Sequence, residues 1–154
     1  MSCRGECPVV SDNQYLLINL GDASFLLASG RGVIVEPRER LAPDQHGGAV
    51  CAWRLAGTHR WPAIGLDRNL RARSLDSWQR AVFLETGPHP VGLAADDVQI
   101  VTHPVEVERF TPTGPAPTPS GHLFSGAWIN EGQVVLRFEP GALAAFLCGL
   151  GAHA

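Results

Sequence analysis

Seventeen Gly and twelve Pro are spread through 154 residues so closely that no long helix fits across most of the chain. Between these breaks stand short apolar runs of strand length, which predict a mostly β fold. Tyr15 to Leu20 is one such run, ended by Gly21-Asp22, and Phe25 to Ala28 returns from it as a hairpin. Gly30 to Glu36 is a short element stopped by Pro37, and a polar surface loop follows to Gly48. Ala49 to Leu55 and Trp61 to Leu66 pair around Ala56-Gly57-Thr58-His59, and Arg80 to Glu85 pairs with Val91 to Ala95 around Thr86-Gly87-Pro88-His89. Val98, Ile100 and Val101 form a short element, and Val105 to Glu108 alternates apolar and charged residues like a half-exposed strand. Thr111 to Gly121 is a Pro-rich loop. Ser125 to Ile129 and Gln133 to Phe138 flank Asn130-Glu131-Gly132, the strongest hairpin signal in the chain.

A single helix is predicted over about 140–150. Pro140 suits a first turn, and Leu143, Phe146, Leu147 and Leu150 recur at i, i+3, i+4 and i+7 as one apolar stripe. The chain then divides into a flexible leader over 1–13, a first subdomain over about 14–66, a polar connector over 67–78, a second subdomain over about 79–138, and the helix. About five short strands in each half predict two small, similar barrels.

Composition removes several kinds of chemistry. A hydrophobic fraction of 45% against 18% charged residues is enough for a packed core. A net charge of -3 speaks against a nucleic-acid face. All twelve basic residues are Arg, so Schiff-base and phosphate-loop lysine chemistry is excluded. No run approaches the roughly 20 apolar residues of a membrane span, and the first residues lack the apolar core of a signal peptide. These features predict a cytoplasmic protein without membrane insertion. Cys3, Cys7, Cys51 and Cys148 lack zinc-ribbon spacing, and Cys51 and Cys148 read as small buried hydrophobes. None of the six His falls in a metal-binding pattern. Ser120, Ser125, His122 and Asp96-Asp97 have the residue types of a hydrolase triad but no nucleophile elbow. Neither metal nor cofactor is called for, and the expected chain is not an enzyme. Arg68, Arg71, Arg73 and Arg80 read as a solvated connector. Trp53 and Trp128 are expected in the core, and Trp61 and Trp78, at turns, as interface anchors.

Four motifs, taken in order, resemble the CheW-like domain, a chemotaxis coupling fold that links receptors to the CheA histidine kinase. They are Leu20-Gly21-Asp22; Arg54-Leu55-Ala56-Gly57 with Trp61-Pro62-Ala63-Ile64-Gly65-Leu66; Val91-Gly92-Leu93-Ala94-Ala95-Asp96-Asp97-Val98; and Phe124-Ser125-Gly126 leading to Val135-Leu136 before the helix. The resemblance runs from about Tyr15 to Leu147. In the third motif the pattern places Gly92 on a buried edge and Asp96 as the cap of a helical turn. In the second, Arg54 stands for the family's Asn, Ala56 for its Arg and Gly65 for its Asp, and the turn before Pro62 is one residue longer.

The resemblance implies two intertwined five-stranded SH3-like barrels with a C-terminal helix. It also implies a scaffolding activity, in which a barrel surface binds the regulatory domain of a CheA-like kinase and an inter-barrel groove takes a chemoreceptor tip. Arg54, Ala56, Gly57, Trp61 and Pro62 are the expected partner interface, with receptor docking weakened by the loss of Arg at position 56. A rival reading has the inter-barrel groove hold a small molecule.

Overall fold

The structure, a computed structural model, describes residues 14–85, 89–118 and 120–151. The leader expected over 1–13 and the centre of the turn at 86–88 lie outside the described residues. The chain opens with the hairpin β1 (Tyr15–Leu20) and β2 (Ala23–Ala28). Six strands follow: β3 (Val33–Pro37), β4 (Ala42–Pro43), β5 (Val50–Ala56), β6 (His59–Gly65), β7 (Arg80–Leu84) and β8 (Val91–Ala95). The last four are β9 (Asp97–Val101), β10 (Glu108–Arg109), β11 (Phe124–Asn130) and β12 (Gln133–Phe138), and helix α1 (Pro140–Gly151) ends the fold.

Sheet membership does not follow the chain halves that the sequence implied. The first sheet runs β10-β11-β12-β2-β1-β9, and the second runs β3-β7-β8-β6-β5-β4. The second is therefore inserted whole between β2 and β9. The boundary expected at 67–78 falls instead inside the inserted sheet, between β6 and β7. Two parallel contacts weave the chain: β12 on β2, with Leu136 opposite Phe25, and β8 on β6, with Leu93 opposite Ile64. Each sheet has five full strands plus a two-residue edge strand, β10 or β4, which accounts for six where five were expected. Of the predicted strand at 105–108, only Glu108 pairs, because Pro104 and the Pro-rich loop interrupt the ladder.

β7 over Ala81–Leu84 and β8 throughout are buried on both faces, which explains why they read as continuous apolar runs rather than alternating ones. Leu16, Ile18 and Leu20 of β1, with Val82 and Leu84 of β7, face a core shared between the sheets. Tyr15 and Leu17, one residue out of phase, face the first sheet's own interior with Leu26, Val101 and Val135. Ala81 and Phe83 face the interior of the inserted sheet with Leu41, Ala52, Ala63, Trp78 and Ala94. Small alanines there make room for the two large rings.

Helix α1 follows the first sheet in sequence but packs against β6 and β8 of the inserted one. Leu143 and Leu147 are buried in the shared core, and Phe146 and Leu150 pack against it, as the stripe predicts. Each buried leucine stabilises this crossover by about 1.5–3 kcal/mol. The hairpin at Asn130-Glu131-Gly132 forms as expected, with Glu131 at φ 52° and Gly132 at φ 82°, both left-handed.

Candidate interaction surface

The β5–β6 hairpin carries all five expected interface residues, but it divides them between two faces. Arg54 lies opposite Trp61, and Ala56 opposite His59, so these four share a face. Trp53 lies opposite Pro62, and Leu55 opposite Arg60, on the other face. On the first, the Arg54 guanidinium sits 4.5 Å over the Trp61 ring and its Nε donates to Glu36 Oε2 at 3.0 Å. Arg54 and Glu36 keep only 24% and 18% of their side-chain surface exposed, which makes this a braced ion pair. On the second, Arg60 lies 4.3 Å over Trp53, whose indole Nε1 donates to Asp44 Oδ1 at 2.9 Å. That donated bond is the main reason the Asp44 carboxyl is held below its ordinary range, with the backbone N–H of His46 assisting. Each tryptophan thus presents a flat apolar ring covered by a guanidinium.

Positioning of this hairpin reaches down into the inserted sheet. Trp61 packs against Phe83 at 6.2 Å between ring centres. Phe83 in turn lies on Gly92, where an added Cβ would come within 2.6 Å of the ring. The buried glycine of the third motif is thereby explained as a seat for an aromatic ring. Gly65 has a similar steric cause: a Cβ there would lie 2.5 Å from the Arg73 carbonyl oxygen and 2.8 Å from Cys51 Sγ. The 67–75 loop lies directly against this position, so the family's Asp has no room. Val91 and Val98 are core residues of β8 and β9, and Gly126 lies apart on β11.

The first and third motifs meet where the sheets join. Asp96, expected to cap a helical turn, caps none, because β8 bends straight into β9. Its Oδ2 instead accepts the Gly21 N–H at 2.6 Å, and its own N–H donates to the Asn19 carbonyl at 3.0 Å. Asp22 pairs with Arg68 at 2.8 Å, and Arg80 with Asp97 at 2.8 Å, so both ion pairs cross between sheets. Arg68 donates to Asp22 and lowers its carboxyl pKa. Solvent screens these exposed pairs, so they add little to stability and mainly fix orientation.

Other expectations come out differently. Trp78 is no surface anchor: it is 3% exposed, with the Arg38 guanidinium 4.9 Å over its ring. Trp53 and Trp128 are half-buried rather than fully in the core. Cys51 and Cys148 are also half-buried, and that burial raises both thiol pKa values. The triad residue types are not assembled, since the His122 ring contacts the Gly114 carbonyl while Asp96 is committed to Gly21. Among the described residues there is no group of three His, Cys, Asp or Glu able to hold a metal ion. Sequence reasoning missed Glu36, which shows only as a charged residue before Pro37, and Arg38, whose partner is 40 positions away.

Beside Trp61, a groove of about 590 Å³ opens between His59 to Pro62, His89 to Val91 and the end of α1 at Cys148 and Gly151. Leu55, at 63% exposure, projects from the same hairpin. No protein-family model matches the chain, and no curated protein matches it. Among solved structures, the chain is similar to the scaffolding protein TtCheW from Thermoanaerobacter tengcongensis. The identity is 13%, the alignment covers 83% of this chain and 84% of that one, and the TM-score is 0.56. The chain has the CheW-like fold. Within that fold, the two Arg-covered tryptophans and the adjoining groove lie on the inserted sheet. The turn holding Gly21, Asp22 and Asp96 sits at the junction of the sheets. No helix among the described residues is long and apolar enough to cross a membrane.

Proposed function

We propose that the chain is a non-catalytic signalling adaptor of a chemotaxis or pilus-type chemosensory array. It binds the regulatory domain of a CheA-like histidine kinase and couples it to a chemoreceptor tip. The observation that carries this reading is the CheW-like fold over 83% of the chain, shared with a protein described as a scaffold. The β5–β6 hairpin supplies the means: rigid aromatic rings, guanidiniums and the exposed Leu55 are the side-chain types that dominate protein interfaces. Its work is done in the cytoplasm, where kinase and receptor tip meet.

Kinase binding and receptor binding are separable on this reading. Position 56 carries Ala at the end of the hairpin, on the same face as Arg54 and Trp61. Titration of the full chain against a kinase regulatory domain and a receptor tip is expected to give measurable kinase binding and weak receptor binding. Ala56→Arg is expected to strengthen receptor binding roughly tenfold through charge-assisted hydrogen bonds. Tight receptor binding by the unaltered chain overturns the proposed separation. Binding to neither partner favours instead a small molecule in the groove beside Trp61, whose volume of about 590 Å³ suits one.

A further inference from the structure

The first sheet holds two arginines on its inner face, and their placement follows from register. Arg109 lies opposite Gly126, Gly126 opposite Arg137, and Arg137 opposite Leu26, so one row crosses four strands on the interior side. Gly126 lies between the two arginines and lets the neighbouring chains close in: a Cβ there would lie 2.6 Å from Val107 Cγ1 and 3.3 Å from Arg137 Nε. The register of β11 shifts between Phe124 and Gly126, and this bulge turns Ser125 toward Arg137. Arg137 donates to Ser125 Oγ at 3.0 Å, to the Ser125 carbonyl at 3.3 Å and to the Tyr15 hydroxyl at 3.4 Å.

All three partners are neutral. Among the described residues, neither arginine has a carboxylate within ion-pair distance. A half-buried guanidinium held in one orientation with its charge unmatched is preorganised for an anion. Around it lies an open cavity of about 490 Å³, lined also by Ala28, Phe110, Thr111, Phe138 and Glu139. This is the mouth of a β-barrel, a usual place for a small ligand.

We propose that this mouth is a binding site for a small organic carboxylate. Arg137 and Arg109 receive the carboxylate from the cavity, and Phe110, 40% exposed, covers the apolar part of the ligand. Phosphate has no apolar part for Phe110 to cover, and its dianion loses far more hydration than a carboxylate on entering a lining of two arginines and one glutamate, which favours the carboxylate. The site is separate from the β5–β6 hairpin and does not depend on the adaptor reading.

Benzoate tests this directly, with benzamide as its neutral counterpart and inorganic phosphate as the dianion, by calorimetry and amide chemical shifts on the full chain at fixed ionic strength. Saturable benzoate binding is expected, with shifts centred on Ser125, Arg137 and Glu139. It should be weakened roughly tenfold by Arg109→Gln, an exposed position, and lost with Arg137→Gln. Benzamide should bind far more weakly, and so should phosphate. Absence of saturable benzoate binding overturns the proposal, as do equal affinity for benzamide, tighter binding of phosphate, shifts centred on Trp61, or a benzoate affinity unchanged by Arg109→Gln. If Arg137→Gln does not fold, Arg109→Gln decides the question.

Discussion

The two barrel interiors are framed by strands of similar length and filled with opposite materials. The inserted sheet closes on Ala52, Ala63, Ala81, Ala94, Phe83 and Trp78 and has no charged side chain within that cluster. The first sheet closes on Tyr15, Leu26, Val101 and Val135, then admits Arg137 at its mouth. Arginine occurs at the mouth of each, but in different roles. Arg38 donates to the carbonyls of Asp76 and Trp78 and lies over the Trp78 ring, beside a cavity of about 530 Å³, so its charge is set against an aromatic face. Arg137 is held by the hydroxyls of Ser125 and Tyr15 and by the Ser125 carbonyl, beside a cavity of about 490 Å³. One guanidinium is matched to the ring that fills its barrel, whereas the other is held by hydroxyls at the rim. The two barrels thus solve the same problem, an arginine at the mouth, with different partners.

Substitutions in the layer common to both interiors should have the largest effect. Leu143→Asp places an unpaired carboxylate between α1 and the shared core, at a cost of several kcal/mol, comparable to the whole stability of a small domain. Circular dichroism is expected to show both sheets lost together; an unchanged melting temperature would detach the helix from the core. Next comes Phe83→Ala, which empties the inserted interior, removes the support of Trp61 and costs about 3–5 kcal/mol in denaturant unfolding. The matching change in the first interior, Arg137→Met, should move stability by no more than about 1 kcal/mol, because the group it removes satisfies only neutral, partly solvated acceptors. A larger loss would make Arg137 a structural clamp and erase the contrast between the two interiors.

The smallest effect is with pH. Asp22, Asp44 and Asp67 all have carboxyl pKa values below the ordinary 3.8, through Arg68, Trp53 and the Arg71 N–H respectively. A folded value below the unfolded one gives stability that is present above pH 3.8 and is lost as pH falls through the folded values. Trp53 fluorescence should report this as the Asp44 bond breaks, and Asp44→Asn should remove that part of the change.

Local signals reached the strands, the hairpin at Glu131-Gly132, the helix stripe and the grouping of Arg54, Ala56, Gly57, Trp61 and Pro62 on one hairpin. They could not reach sheet membership, because a strand buried on both faces reads the same whichever sheet it joins. Phe25 carries no sign that its neighbour is Leu136. Trp78 reads as a surface residue because polar residues flank it in sequence, while its burial comes from Arg38 and from the cluster of Leu41, Phe83 and Ala94 on other segments. Asp96 was given a helical turn to cap because its partner, the Gly21 N–H, lies 75 residues away. The Arg109–Gly126–Arg137 row was invisible for the same reason, since it exists only once three strands are in register.

The insertion of one sheet inside the other also sets an order on the ribosome. Residues 33–95 hold every strand of the inserted sheet, so that unit can pair fully as soon as β8 has emerged. The β1–β2 hairpin, made first, has its β2 edge unpaired until β12 arrives more than a hundred residues later. Across that interval its apolar residues lack their final neighbours, and contacts so far apart in sequence close slowly. The first strands of the fold to be synthesised are among the last to be completed, and the exposed β2 edge is the point at which a nascent copy could pair with another.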